Sequence, residues 1–334
     1  MTAARGLRIW CEMVTHAEIA SPAVLAALAQ RKIGLIVAAQ PGPRAHLVQL
    51  ARAARDAGLS FAVWPMLADA AGRWASVDNA ARFASYVRAL VDELDRASAL
   101  PEEIALDLEP PIDRLRRMLG FRAPPSPPAR SAPPPDHGEA ILGALVRDLR
   151  ARVPTPIRVS AAVIPLVLFD DEMSGLERWL GTPVRSIPWD HASVMVYTTL
   201  LEGYSRGLLT RNDVRPLLAS FCRLAAARFG ARAGVSLGAV GKGALGDEAT
   251  YRSATELADD VAIARAAGIE DLTLFDLGGV LRRPPWEAWL DAFAWTEPSP
   301  RLPEATWKSR AAEKLGRGAS RLLGVAGSLR PTRG

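Results

Sequence analysis

The chain has few of the residues on which disulfide-rich, metal-binding and membrane-spanning proteins depend. Its 334 residues include two cysteines, too few for a disulfide-stapled scaffold or a cysteine-based zinc cluster. Four histidines stand at positions 16, 46, 137 and 191, and none is spaced from another like a pair of metal ligands. Every apolar run is shorter than the roughly 18 residues of a membrane-spanning helix. We therefore expect no metal, no other cofactor and no membrane among its partners.

The first residues, MTAARGLRIW, lack the apolar segment and small-residue cleavage site of a secretion signal. This absence predicts a soluble protein that stays in the cytoplasm.

Positive charge is concentrated at the C-terminal end of the chain. The formal net charge is +5, yet residues 301–334 hold eight Lys or Arg residues and only two Glu residues. The rest of the chain therefore has one more acidic than basic residue, and lysine is scarce throughout, with four in all. The excess belongs to the tail, so it does not indicate a nucleic-acid partner for the body of the protein.

Short apolar runs alternate with longer segments of helical periodicity, of which Val77–Arg96 is the clearest. Alternation of this kind predicts βαβ units and a parallel sheet, and eight units predict a single closed (β/α)8 barrel, the TIM barrel. A doubly wound open sheet is the alternative, but it favours a glycine-rich turn after the first strand, where Val14, Thr15 and His16 stand. The eight predicted strands are residues 7–13, 33–39, 59–67, 103–109, 157–165, 193–199, 234–240 and 271–277.

Two segments interrupt this alternation. Residues 110–137 follow the fourth strand and carry seven prolines between Pro124 and Pro135, which predicts a flexible polyproline insertion that begins with a short basic helix at 112–119. Residues 297–334 are rich in Pro, Arg and Gly and are predicted to be a loosely ordered basic extension. The barrel itself is predicted to span residues 1–296.

The fourth strand carries the residues that a hydrophobic core is least suited to hold. Side chains alternate along a strand, so Asp107 and Glu109 share one row with Ala105, and this row is predicted to face the barrel interior at the carboxyl end. Two carboxylates this close raise the pKa of one of them, which suits a general acid that must stay protonated near neutral pH. In the alternative interpretation, both carboxylates hold an arginine or a metal and stabilise the rim.

Other strand ends supply the setting of a sugar-binding cleft. Ser193, Met195 and Tyr197 share one row of the sixth strand. Aromatic rings pack well against the C–H faces of sugar rings, although tryptophan is also common in cores. Candidate substrate-binding residues, on the strands or in the loops that follow them, are Trp10, Glu12, Trp64, Trp74, Met195 and Asp276.

These motifs resemble the family 18 glycosidases, the chitinases and endo-N-acetylglucosaminidases. The resemblance rests on Asp107-x-Glu109, on Met195-x-Tyr197 and on residues 159–165, and the order of strands extends it over residues 7–294. The chain departs from the family's pattern at Ala105, where the family has a further aspartate, and it has Phe275 near the family's eighth-strand tryptophan. The resemblance implies a divergent, chitinase-like glycoside hydrolase that acts on an oligosaccharide or glycan, N-acetylated or not.

The resemblance also implies a role for each matching residue. Glu109 would protonate the glycosidic oxygen, Asp107 would orient the substrate's N-acetyl group, and Tyr197 would hydrogen-bond that group. The acetamido oxygen would then act as the nucleophile. For a substrate without that group, a second carboxylate would have to come from Glu12, Asp190 or Asp276.

Three other interpretations of the sequence remain open. The glycine-rich loops after strands seven and eight, with Lys242, could bind a phosphate, as in a lyase or isomerase of a phosphorylated sugar. The carboxylates Glu12, Asp107, Glu109 and Asp276 could hold Mg²⁺. In the third interpretation, the chain is a carbohydrate-binding barrel without catalysis, or a scaffold that recruits partners through its polyproline loop.

Overall fold

The computed structural model describes residues 6–114, 135–170 and 175–328. Within these ranges eight strands follow one another in chain order around a closed parallel barrel, with helices in the connections. The predicted (β/α)8 architecture is confirmed. The strands are β1 (Leu7–Cys11), β2 (Ile33–Ala39), β3 (Phe61–Pro65), β4 (Glu103–Leu108), β5 (Arg158–Val163), β6 (His191–Met195), β7 (Ala233–Gly238) and β8 (Asp271–Phe275).

Helix α4 shows how the local sequence produces the outer layer of the barrel. Its residues Phe83, Val87, Leu90, Val91 and Leu94 recur at helical spacing and are all buried, as predicted. The helices are α1 (His16–Ile19), α2 (Pro22–Gln30), α3 (Ala45–Asp56), α4 (Ala80–Arg96), α5 (Pro135–Arg150), α6 (Gly175–Leu180), α7 (Thr198–Tyr204), α8 (Arg211–Phe229), α9 (Ala254–Ala266), α10 (Leu277–Leu281), α11 (Trp286–Phe293) and α12 (Trp307–Ser328), with short 3-10 helices at Asp69–Ala71, Pro165–Phe169 and Gly230–Arg232.

The described residues divide into two compact units. The first comprises 6–38, Arg44–Ala62 and His191–Lys314, and includes β1, most of β2, and β6 to β8. The second comprises Ala39–Pro43, 63–114, 135–170, 175–190 and 315–328, and includes β4 and β5.

In the first unit, β1 pairs with β8, the strand farthest from it in the sequence. Leu7 stands opposite Leu272 and Arg8 opposite Thr273. The Arg8 guanidinium lies 2.9 Å from the Asp271 carboxylate, and His191 Nε2 lies 3.3 Å from the same oxygen. Burial alone would raise the pKa of Asp271, but the charge of Arg8, the neighbouring His191 and the hydrogen bonds of both to the carboxylate hold it below its usual range. This cluster stands where β6 and β8 begin, the end of a barrel associated with stability.

We expect Asp271→Asn to lower the free energy of unfolding at pH 7 by an amount that shrinks in acid. The folded pKa of Asp271 is depressed, so the carboxylate contributes stability above its unfolded pKa of about 4 and loses it as pH falls through the folded pKa. Urea unfolding of both proteins between pH 7 and about pH 2 measures the difference. A difference in unfolding free energy that stays constant over that pH range would contradict a depressed pKa of Asp271.

A second buried cluster of the first unit joins three helices. Asp260 of α9 accepts two hydrogen bonds from Arg211, at 2.6 and 3.1 Å, and one each from Thr198 and Tyr251, at 2.5 and 2.8 Å. Arg211 is the first residue of α8 and Thr198 the first of α7. A fully buried carboxylate is thus surrounded by donors, as a buried charge requires.

The C-terminal segment contains a long helix where a loosely ordered extension was predicted. Thr306 precedes α12, accepts a hydrogen bond from the Ser309 amide, and donates one to Asp213 at 2.7 Å. Ser309 and Ser320, which share one helix face, are buried.

The proline-rich insertion stays a prediction, because residues 115–134 lie outside the described ranges. Its flanks are described: residues 112–114 form a helical turn, and Pro135 begins α5. Across the described part of the chain, no helix has the length and apolar character needed to cross a membrane.

Candidate active site

The carboxyl end of β4 carries the two predicted catalytic carboxylates. Asp107 is buried, lies opposite Ala162 of β5, and shares its row with Ala105 and Glu103. In the other row, Ile104, Leu106 and Leu108 are fully buried aliphatic side chains. Glu109 follows the last strand residue and is half-buried. The strand therefore separates an aliphatic row from a row that carries carboxylates, as the sequence indicates.

A further carboxylate, which was not among the predicted site residues, stands at the other end of this row. Glu103 is buried and accepts a 2.5 Å hydrogen bond from Ser160 of β5. Its position where β4 begins identifies it as a structural residue rather than part of a site at the carboxyl end.

The loop after β3 lies along the end of β4. The Ala75 amide donates to the Asp107 carbonyl at 2.9 Å, and Ala75 forms a parallel bridge with Leu108. Asn79 holds this loop through a 2.7 Å hydrogen bond from its side-chain amide to the Trp74 carbonyl. Trp74 is therefore positioned next to the strand end that carries Asp107.

The two tryptophans predicted for the substrate cleft in this unit are both buried. The Trp74 indole N–H has no hydrogen-bond partner within the described residues, and the Arg73 guanidinium lies 5.9 Å from its ring centroid. Trp64 lies on β3. A buried indole N–H without an acceptor is unusual, because buried polar groups are generally hydrogen-bonded.

In the first unit, a hydroxyl network lies inside the barrel. The Trp10 indole N–H is 3.1 Å from Ser236 Oγ and 3.2 Å from Thr273 Oγ1, and the Ser193 and Thr273 hydroxyls are 3.3 Å apart. Trp10 and Ser236 lie on β1 and β7, which are not neighbours, and the same holds for Ser193 and Thr273 on β6 and β8. Side chains of non-adjacent strands meet only across the interior of a barrel, so this row faces inward.

Tyr197 extends the network toward the carboxyl end of β6. Its hydroxyl is 3.3 Å from Ser236 Oγ, and its ring stacks on Phe275 with centroids 5.8 Å apart. A Cβ at Gly238 would lie 3.1 Å from the ring, so glycine at this position leaves room for it. Met195 is half-buried and stands opposite Ser236. The structure therefore brings Trp10, Met195 and Tyr197 together through Ser236.

Asp276 follows the last residue of β8 and caps helix α10. Its Oδ1 accepts a 3.0 Å hydrogen bond from the Gly279 amide. Burial raises the pKa of Asp276, an effect opposed by the backbone N–H groups of Gly279, Met13 and Gly278 and by the charge of Arg282. The neighbouring Glu12 is half-buried and follows the last residue of β1.

The glycine-rich loops after β7 and β8 pack closely against each other. A Cβ at Gly279 would lie 2.2 Å from the Gly241 amide nitrogen, so the two backbones approach each other directly. The Gly279 N–H that could have bound a phosphate already donates to Asp276. This geometry explains the glycines by packing rather than by an anion cradle.

Four predicted site residues lie one or two positions after the last residue of a strand. Glu12 follows β1, Glu109 follows β4, Tyr197 follows β6 and Asp276 follows β8. The carboxyl ends of the strands are where barrel enzymes place their chemistry. Among the described residues, no group of three or more His, Cys, Asp or Glu side chains is arranged to hold a metal ion.

A scan against protein-family models finds no match to this chain, and a search of curated proteins finds none either. Similar solved structures include TIM-barrel glycoside hydrolases. The PgaB (BpsB) glycoside hydrolase domain from Bordetella bronchiseptica is 12% identical, with 87% of this chain and 99% of that chain covered and a TM-score of 0.49.

The chitinase RmChi1 from Rhizomucor miehei is 14% identical, with 86% of this chain and 98% of that chain covered and a TM-score of 0.48. A D-allulose 3-epimerase from Methylomonas sp. is 14% identical, with 95% and 100% covered and a TM-score of 0.46. At these identities the likeness concerns the barrel fold alone.

Proposed function

We propose that this chain is a glycoside hydrolase in which Glu109 is the general acid and Asp107 its partner. The observation that carries the proposal is the row structure of β4. Asp107 is buried in the row opposite the aliphatic one, and Glu109 follows at the carboxyl end with partial exposure. A half-buried carboxylic acid can both exchange protons with water and reach a bound substrate.

In the proposed reaction, Glu109 donates its proton to the glycosidic oxygen as the bond to the anomeric carbon breaks. The carbonyl oxygen of a 2-acetamido group on the substrate attacks that carbon and forms a cyclic intermediate. Water then opens the ring and returns a proton to Glu109, which acts as a base in this step. Asp107 orients the acetamido group and stabilises its positive charge.

The residues of β7 support the proposal that the nucleophile belongs to the substrate and not to the protein. Retaining barrel hydrolases of the two-carboxylate type require a second carboxylate as nucleophile. Strand β7, AGVSLG, contains no acidic residue, and its interior position is occupied by Ser236. Tyr197 and the indole N–H of Trp74 are candidate hydrogen-bond donors to the sugar.

A panel of fluorogenic glycosides with and without a 2-acetamido group tests the proposal. We expect the wild-type protein to hydrolyse 2-acetamido glycosides faster, and Asp107→Asn to lose more activity on these than on any glycoside lacking the group. Glu102→Gln is the matched control, since Glu102 is exposed and directly precedes β4, at the end opposite to Glu109. If wild type hydrolyses none of the glycosides but binds them in calorimetry, the chain is a carbohydrate-binding barrel without catalysis.

A further inference from the structure

Helix α12 carries much of the apolar surface that the described residues leave exposed. Seven large apolar side chains are exposed in these ranges, and four of them belong to this one helix. Their exposed fractions are 72% for Trp307, 73% for Leu315, 75% for Leu322 and 61% for Val325. With 3.6 residues per turn, the four lie within an arc of about 80°. They form a continuous stripe, here called the apolar stripe.

A row of positive charge runs beside the apolar stripe. Arg310, Lys314, Arg317 and Arg321 are spaced four, three and four residues apart, and all are exposed. This set is here called the basic row. The one acidic residue of the helix, Glu313, accepts a 3.0 Å hydrogen bond from Ser220 of α8. The basic row therefore carries four positive charges, and Glu313 is the one acidic residue on the same helix.

The third face of α12 attaches the helix to the protein. Ser309 and Ser320 are buried on this face, and a Cβ at Gly316 would lie 3.0 Å from the Phe169 ring. The Arg317 guanidinium lies 4.8 Å from the centroid of the same ring. Because this face of small residues makes the packing contacts, the apolar stripe is not needed for them.

We propose that α12 binds the surface of an anionic membrane, lying in the plane of the lipid head groups. The apolar stripe would enter the boundary between head groups and acyl chains, while the basic row would contact lipid phosphates and carboxylates. A 22-residue helix of this pattern lies on a bilayer and does not cross it. This proposal departs from the expectation of no membrane partner, which was drawn from the lack of a spanning segment.

Charge and shape together favour a lipid surface over a nucleic acid. The tail carries the whole positive excess of the chain, so attraction to a negative surface acts on this end of the protein. A nucleic acid would engage the basic row, but it would leave the aliphatic side chains of Leu315, Leu322 and Val325 in water. The interface of an anionic bilayer can accommodate both the apolar stripe and the basic row.

Co-sedimentation of the full chain with vesicles tests this proposal. We expect binding to vesicles that contain phosphatidylserine and none to vesicles of phosphatidylcholine alone. The double variant Leu315→Ser/Leu322→Ser should weaken binding about tenfold or more, since each change removes a buried apolar contact. Neutralising Arg310, Lys314 and Arg321 to Gln should weaken it similarly, and raised salt should do the same for the wild type.

The control is Val153→Ser/Leu208→Ser, which changes two exposed apolar residues outside α12 and should bind like the wild type. Circular dichroism establishes that each variant is folded. Absence of binding to anionic vesicles at low salt would overturn the proposal. So would binding that the Leu315 and Leu322 changes leave intact, because charge alone, as for a nucleic acid, would then account for it. A change of oligomeric state in that variant without vesicle binding would identify the stripe as an interface between copies and overturn the proposal too.

Discussion

Glu109→Gln should lower kcat/KM by about 10²–10⁴-fold on glycosides whose leaving group needs a proton, the usual effect of removing a positioned general acid. Glutamine keeps the shape of the side chain but cannot donate the acid proton. The backbone before Glu109 is held by the bridge between Leu108 and Ala75, so the substitution should not displace the strand end. Sugar binding should therefore survive, and a steady-state assay should find the loss in kcat.

Substrates with different leaving groups distinguish the loss of the general acid from a loss of folded structure. A nitrophenolate leaves without protonation, so Glu109→Gln should recover much of its rate on a nitrophenyl glycoside. Glu102→Gln should behave like the wild type on every substrate. Equal activity of Glu109→Gln and the wild type on all glycosides would assign Glu109 a structural role.

Asp260→Ala should have the largest effect on stability, lowering the free energy of unfolding by about 3–5 kcal/mol. The substitution removes the acceptor of four hydrogen bonds and leaves the Arg211 guanidinium, whose side chain is mostly buried, without its counter-ion. Small domains are typically stable by about 5–15 kcal/mol, so the variant should unfold at a much lower urea concentration.

The neighbouring Asp259 provides a matched control. Its carboxylate lies 3.7 Å from Arg215 and its side chain is 45% exposed, so Asp259→Asn should cost at most about 1 kcal/mol. Asp260→Asn, which keeps the volume, tests whether charge matters beyond packing. Equal unfolding midpoints for Asp260→Ala and Asp259→Asn would contradict a supporting role for the buried cluster.

The number and order of the strands could be predicted because each strand is locally apolar and each helix locally periodic. The second run, 33–39, coincides with β2 (Ile33–Ala39). The sixth, 193–199, differs: the strand ends at Met195, and Thr198 and Thr199 are buried in the first turn of α7. An apolar run in the sequence indicates that its residues are buried, but it does not indicate where the strand ends. Residues beyond the strand are also buried when the next helix packs against the barrel.

The candidate site could be predicted only where its residues are unusual in their own strand. Asp107 and Glu109 stand out among aliphatic neighbours. Ser236 and Thr273 do not, since short hydroxyl side chains are common in strands. Their meeting with Trp10 depends on the closure of the barrel, as does the bond between Ser193 and Thr273, 80 residues apart in sequence. Asp260 was missed for the same reason: its partner Arg211 is 49 residues away.

The pairing of β1 with β8 has a consequence for the order of events during synthesis. Arg8 and Asp271 are 263 residues apart, so the ribosome must produce most of the chain before they can meet. At about 5–20 residues per second, β1 waits on the order of tens of seconds for its second neighbour. During that time its backbone N–H and C=O groups on one edge are open to pairing with another chain. Aggregation during translation should therefore decline sharply once Phe275 has left the exit tunnel, because the last strand closes the ring and removes the edge.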